Sequence, residues 1–224
     1  MHALSTFYRS RLPHLTPIGG TFFITFRVKD AVPLRKMQQL RYRYEREVQS
    51  IRTSSCQGIE RTRALAKARH HYFLSYDASL DANPNAGAYF LDPAVFRIMA
   101  DHLHSFDNDL YELRAFCIMP NHVHLLLSLG NQLVDDDHFF LSETELRKSY
   151  RPLNNIMRRI KGGSSRAINQ YLGRRGALWQ KDSYDHYVRD EKAYRNILYY
   201  ILHNPVKAGL VEDWQSYPFT YCAQ

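Results

Sequence analysis

The sequence predicts an α+β fold in which an antiparallel sheet is flanked by helices, with a helical insertion after the first strand. Three observations carry this. Residues 20–28 are aromatic and β-branched, follow a Gly-Gly pair and read as a strand. Residues 111–119 and 122–128 read as two more strands, joined at Pro120-Asn121 by a turn tight enough for a hairpin. Between these strands the apolar spacing changes from two to three and four over residues 33–76, where Leu34, Met37, Leu40 and Tyr44 recur among Arg and Glu. A chain of 224 residues that is 45% hydrophobic can bury one core and fits one domain over 1–224, with 33–76 as the insertion and 205–224 as a C-terminal tail.

The remaining elements follow in order. A Ser-Ser-Cys-Gln-Gly break near 54–58 divides the insertion into two helices, and residues 77–88, with Pro84 and Gly87, read as a loop. Asp92 and Pro93 suit the N-cap and first position of a helix whose apolar residues are Val95, Ile98, Met99 and Leu103. Residues 130–140 form a loop with the acidic run Asp135-Asp136-Asp137, which together with His138 reads as solvated rather than as a metal cluster. Ser142 and Glu145 form a capping box that starts a helix, interrupted at Pro152 and ending near Lys161-Gly162-Gly163. Ser164 then caps a further helix that ends at Leu172-Gly173. Residues 184–188 read as a short strand, and Asp190 caps a last helix that Pro205 terminates after about His203. The tail is a short strand or coil packed on the body.

Composition narrows the function. Thirty Lys+Arg against 22 Asp+Glu give a net charge of +8, and ten of those cations with no acid fall between residues 146 and 181. Asn, Ser, Tyr171 and Trp179 are interleaved with them, a mixture suited to phosphate contacts and base stacking, although a solvated basic helix face has the same look. Three widely separated cysteines fit neither a disulfide framework nor a zinc ribbon. No apolar run reaches the roughly 20 residues that span a bilayer, and the first 15 residues lack the apolar stretch of a secretory signal. A cytoplasmic protein is the expectation. There is no Walker motif and no Gly-x-Gly-x-x-Gly, so no nucleotide cofactor is implied.

Two patterns carry chemistry. His122-Val123-His124 on a strand turns both imidazoles to one face, where they can chelate a metal or serve as ordinary polar strand residues. On the last helix Tyr194, Ile197, Leu198 and Ile201 form the core stripe, and Tyr200 and Asn204 sit at its rim, one turn apart. His70-His71, His102 and His104 lie on helices at spacings that do not share a face, and Cys117 reads as a core residue.

The ordered segments Met119-Pro120-Asn121-His122-Val123-His124-Leu125, Ile160-Lys161-Gly162-Gly163-Ser164-Ser165-Arg166, Leu178-Trp179-Gln180, 184–190 and Asn204-Pro205-Val206-Lys207-Ala208-Gly209-Leu210 closely resemble the REP-associated tyrosine transposases. These are single-tyrosine members of the HUH superfamily, related to small insertion-sequence transposases. The resemblance runs from about residue 20 to 217 and implies a ferredoxin-like antiparallel core; it implies nothing for 33–76. It places a divalent metal, Mg²⁺ or Mn²⁺, on His122 and His124. Asn204, in place of the Gln common in the insertion-sequence relatives, is the third ligand. The nucleophile four residues before that Asn is Tyr200, with Tyr199 the competitor.

The activity so implied is cleavage and strand transfer of single-stranded DNA at palindromic hairpins through a 5′-phosphotyrosine. A phenol of pKa near 10 must lose its proton in that step, and His203, His186 and Lys207 are the candidates to help. Arg158, Arg159, Lys161 and Arg166 would contact phosphates, and Trp179 would either stack on a base or pack in the core. Asp185 would orient a ligand histidine or pair with Arg189. The partner is hairpin DNA of the REP type, the location the cytoplasm and nucleoid, and the chain a monomer or homodimer. Two other readings stay open: a binder of structured nucleic acid without catalysis, and a metal-dependent hydrolase without a covalent intermediate.

Overall fold

The computed structural model describes residues 5–9, 13–83, 85, 87–135, 137 and 139–223. A two-stranded hairpin, β1 (Ser5–Arg9) and β2 (Pro13–Pro17), precedes the main sheet. The first strand foreseen, β3 (Thr21–Arg27), is therefore the third in the chain. The short polar strands before it, with Pro at both ends of β2, carry no alternating apolar pattern to betray them. β4 (Glu112–Met119) and β5 (His122–Ser128) form the expected hairpin, and β6 (Tyr184–Val188) and β7 (Thr220–Cys222) complete a five-stranded sheet in the order β6-β3-β5-β4-β7. Every pairing is antiparallel. The fold class is α+β, with the sheet flanked by helices.

Register divides the sheet into two faces. Phe22, Ile24 and Phe26 of β3 pair with Leu127, Leu125 and Val123 of β5, whereas Phe23, Thr25 and Arg27 pair with Leu126, His124 and His122. Directly paired residues share a face. The first set packs under α3 (Pro93–His104) and α5 (Leu153–Tyr171): Trp179 meets Phe26 at a 4.8 Å ring distance and donates its Nε1–H to Ser164 of α5. The second set faces α6 (Glu191–Lys207) and the end of the insertion. Asp92 and Asp190 cap α3 and α6 as expected, and the Ser142–Glu145 capping box opens α4 (Glu143–Ser149).

Three boundaries differ from the sequence reading. α5 is one helix through Gly162-Gly163, not two. Ser164 is an interior residue whose hydroxyl bonds Ile160 O, and a Cβ on Gly163 would lie 2.3 Å from the His102 ring, so that glycine permits the close approach of α3. The buried stripe Leu153, Ile156, Ile160, Ser164 and Ile168 outweighs the roughly 1 kcal/mol each glycine costs a helix. α6 continues past Pro205 to Lys207 because Ala208 N–H still reaches Asn204 O and Leu210 N–H reaches Pro205 O. The insertion forms two helices, α1 (Leu34–Thr53) and α2 (Gly58–Asp81), so it runs beyond 76 and takes in Asp77 and Asp81. Of the acidic loop, Asp136 and His138 lie outside the described residues, as do Pro84 and part of the N-terminal stretch.

Trp179 is a core residue. It is 6% exposed, its ring stacked on Phe90 at 5.5 Å. Of the two alternatives for Trp179 the structure shows core packing, which leaves no face for a base, so it is withdrawn as a DNA contact. Trp179→Ala should destabilise the protein by about 3–5 kcal/mol in urea denaturation, and Trp179→Phe by less. A midpoint unchanged in Trp179→Ala would contradict this packing.

Candidate active site

The site begins at the β4–β5 turn. Asn121 is buried, and its Nδ2 donates to Leu80 O at 3.3 Å and Asn83 O at 2.9 Å. Both amide protons are thereby spent on the end of α2, which turns Oδ1 to His122 Nδ1 at 2.7 Å. A carboxamide oxygen only accepts, so His122 Nδ1 carries the proton and Nε2 of the neutral ring presents a lone pair. His124 Nδ1 lies 2.8 Å from Thr25 Oγ1, and the two Nε2 atoms face each other at 3.1 Å. One proton shared between them spans that distance. With a cation held there both Nε2 atoms must be bare, and Thr25, which can donate or accept, would accept from His124 Nδ1.

Asp77 comes from α2. Its Oδ1 is 3.4 Å from His124 Nε2, and the ligand atoms of Asp77, His122 and His124 all lie within 4.8 Å of one another, all three residues buried. Its Oδ2 accepts from Lys207 Nζ at 2.5 Å, and Lys207 also reaches Asp81 at 3.2 Å. On α6, Asn204 is fully buried with both carboxamide atoms unpartnered, and the Tyr200 hydroxyl one turn earlier is likewise buried without a hydrogen-bond partner among the described residues. Each such group costs about 1–3 kcal/mol left unmet. Two bare-nitrogen imidazoles, a carboxylate and an unpartnered carbonyl oxygen form a donor set that fits a divalent cation.

Burial sets the charges. It pushes His122 well below its ordinary value, aided by His124, and lowers His124 to about 4, so both rings are neutral. Burial opposes the ionisation of Asp77, but the charge that His124 and His122 acquire once acid protonates them, and the hydrogen bond from Lys207, outweigh it and hold its carboxyl below the usual range. The Tyr200 phenol is raised by burial and then by Asp77 and Asp81, so it stays protonated as the protein stands. Lys207 Nζ lies 5.5 Å over the Tyr200 ring.

The structure thus brings His122, His124, Tyr200 and Asn204 together. Tyr199, 64% exposed, points away and stacks on His203 at 3.8 Å; His203 Nδ1 in turn bonds Tyr199 O. Of the three groups considered for activating the tyrosine, Lys207 is the one over its ring. The basic residues divide differently. Arg158, Arg159 and Arg166 are exposed on α5, across the sheet from Tyr200. Lys161 spends its three N–H donors on Gln180 O, Lys181 O and Ser183 Oγ, so it pins the 180–183 segment and is corrected as a phosphate contact. Asp77 was missed by stopping the helix at 76, although Phe73, Tyr76 and Leu80 continue its apolar spacing.

The buried histidines predict a pH dependence in EDTA. Unfolded histidine takes a proton near 6.5, whereas His124 in the fold resists until about 4. Between these values the unfolded chain binds more protons, so stability falls as pH falls. Urea denaturation should show a loss of at least about 2 kcal/mol between about pH 7 and pH 5, the share of His124 alone, and the loss should shrink in His124→Gln. A flat profile would show the rings already charged.

No protein-family model matches the chain. A protein of Haemophilus influenzae named provisionally as a REP-associated tyrosine transposase is 32% identical over 111 residues, 49% of this chain and 58% of that protein. The REP-associated tyrosine transposase of Escherichia coli is 26% identical over 110 residues, 49% of this chain and 53% of that one. The match spans little more than half the length of these relatives. A solved structure of a REP-associated tyrosine transposase bound to a REP hairpin superposes on 95% of this chain and 82% of that chain, at TM-score 0.42 and 18% identity. The family that the motifs resemble is thus the one after which these curated homologues are named.

Proposed function

We propose that this chain cleaves and rejoins single-stranded DNA beside palindromic hairpins, with Tyr200 as nucleophile and a divalent metal, Mg²⁺ or Mn²⁺, at the histidine pair. The observation that carries the reading is the convergence of Tyr200, Asn204, His122, His124 and Asp77 on one buried point reached from three separate parts of the chain. His122, His124 and Asp77 would hold the ion, with Asn204 Oδ1 completing the set. Bound there, a cation neutralises charge on a phosphate oxygen and orients the group. Two imidazoles favour Mn²⁺ at least as much as Mg²⁺.

The chain's own residues supply the rest. Tyr200 Oη forms the bond to phosphorus as the P–O3′ bond breaks, leaving a 5′-phosphotyrosine and a strand that ends in a 3′-OH. The phenol proton passes to Asp77 Oδ2 and the leaving 3′ oxygen takes its proton from water, so protons balance. In this reading Lys207 exchanges Asp77 for the incoming phosphate. That removes one of the charges holding Asp77 acidic and frees its Oδ2 to take the phenol proton. The exposed Arg158, Arg159 and Arg166 of α5 would grip the phosphates of the hairpin. No helix of the described residues is long and apolar enough to cross a membrane; a DNA-processing role fits the cytoplasm and nucleoid.

Two experiments test this. Thermal melting with Mn²⁺ at about a hundredfold excess over Kd should raise the midpoint by roughly 5–10 °C. His122→Ala and Asp77→Asn should abolish the shift, Asn204→Ala should reduce it, and Tyr200→Phe should keep it. No shift in the wild type would remove the metal. Separately, labelled single-stranded DNA carrying hairpins from the source genome should give a covalent band on a denaturing gel. That band should vanish in Tyr200→Phe, His122→Ala and EDTA, and persist in Tyr199→Phe. Cleaved product without a band would favour the metal-dependent hydrolase; tight binding without cleavage would leave a nucleic-acid binder.

A further inference from the structure

The proposed chemistry needs a strand at Tyr200, yet the basic run singled out in the sequence lies on the other side of the sheet. Arg158, Arg159 and Arg166 project from α5, which covers the face of Phe22, Ile24 and Phe26, whereas Tyr200 packs against Phe23 and His124 on the opposite face. Positive charge on the Tyr200 face comes from elsewhere. Residues 34–81 hold ten Lys/Arg against five Asp/Glu, and two of those acids, Asp77 and Asp81, are bound by Lys207.

A cleft of about 990 Å³ separates this helical insertion from β6 and α6. Its lining includes Tyr44, Arg52 and Arg69 on one wall and Tyr184, Arg189 and Tyr200 on the other. Phe23 and Phe73 lie at its inner end, where Phe73 meets both Tyr184 at 4.5 Å and Tyr200 at 5.6 Å. Arg69 lies 5.7 Å over the Tyr184 ring and donates to Asp185 O, which orders it as part of the wall. Of the three acids at the cleft, Glu45 pairs with Arg41 at 2.6 Å, Asp190 caps α6, and Asp185 lies beside Tyr184 and His186. Burial above all, then Arg69 and Arg189, depress His186 to about 4, against the opposing charge of Asp185.

We propose that this cleft is the path of the single strand: the insertion and the β6 edge hold the unpaired nucleotides next to the scissile phosphate and lead them to Tyr200. Alternating arginines and tyrosines suit this ligand, because every base has a face to stack and every nucleotide a phosphate to meet, independent of sequence. The size fits a few nucleotides and is at the upper end for small-ligand clefts, roughly 1,000 Å³. The assignment rests on the reading of Tyr200 as a DNA nucleophile and adds a role for the insertion, for which neither the motifs nor the named relatives suggest one.

Fluorescence anisotropy of a labelled oligothymidylate of about twelve nucleotides, which forms no hairpin, reads single-strand binding without a duplex stem, and the comparison of variants locates it. The expected result, in EDTA at low salt, is affinity at least about tenfold weaker in the pair Arg52→Glu, Arg189→Glu than in the wild type, with a shallower salt dependence. The pair Arg158→Glu, Arg159→Glu, the same change of charge on the opposite layer, should weaken binding of this probe by less than the cleft pair does. Arg52 is exposed at the far end of α1, so Arg52→Glu alone should weaken binding in the same direction without altering the melting temperature. Equal affinity in the wild type and the Arg52, Arg189 pair, or no binding by the wild type, would overturn the assignment. The adduct assay separates the two ideas. Binding that depends on these arginines, without any covalent band, removes the nucleophile and leaves the cleft. An adduct formed at wild-type rate by the Arg52, Arg189 pair removes the cleft and leaves the nucleophile.

Discussion

The antiparallel register of β3 on β5 decides on which side of the sheet any chemistry can occur. Thr25 opposite His124 and Arg27 opposite His122 put both imidazoles on the face that α6 and α2 cover. A slip of one residue would turn them into the layer filled by Phe22, Ile24, Phe26 and Trp179, where no buried carboxylate or carboxamide waits among the described residues. That apolar layer holds the register, because slipping it would drive three large side chains of β3 into the polar site and bury two histidines among apolar side chains. The stability of one face thus fixes the geometry of the other.

On the polar face, each group is set by the one behind it. The carbonyls of Leu80 and Asn83 orient Asn121, Asn121 fixes the tautomer of His122, and Thr25 supports His124. Lys207 ties Asp77 and Asp81 to the end of α6. The last turns of α2 are therefore part of the site, and the insertion cannot be removed at 33–76 without freeing Asn121. Its first half is less committed. Leu40 is the only buried residue of α1, and the buried positions of α2 begin at Ala68, so the far end of the hairpin stands away from the sheet and leaves the cleft open.

What the sequence made legible was local. The hairpin around Pro120-Asn121, the caps Asp92, Ser142 and Asp190, and the His122–His124 pair each depend on residues within a few positions of one another. What it hid depended on distance or on a competition. Gly162-Gly163 is a good stop signal, yet a buried stripe keeps α5 whole, and the space beside Gly163 is taken by His102. Trp179 and Lys161 belong to a basic segment, yet one packs on Phe90 and the other donates to three acceptors around 180–183, and charge counting cannot tell an inward side chain from an outward one. Asp77 was within reach, since the apolar spacing runs on to Leu80; its meeting with His124 was not, because 47 positions separate them.

The net charge of +8 conceals two basic surfaces on opposite layers, one on α5 and one on the insertion. A uniform duplex lying on one surface could not also reach the other, because the sheet stands between them. Under the proposed reading a substrate with a stiff part and a flexible part could: a duplex stem would be held at α5, and a single strand would be free to turn around the β6 edge into the cleft. The persistence length of duplex DNA, about 150 base pairs, forbids that turn on the scale of this protein, whereas an unpaired strand makes it freely. Under the proposed reading, the separation of the two surfaces is itself a selector. It rejects continuous duplex and accepts a hairpin with an unpaired flank, with no base contact required for that discrimination.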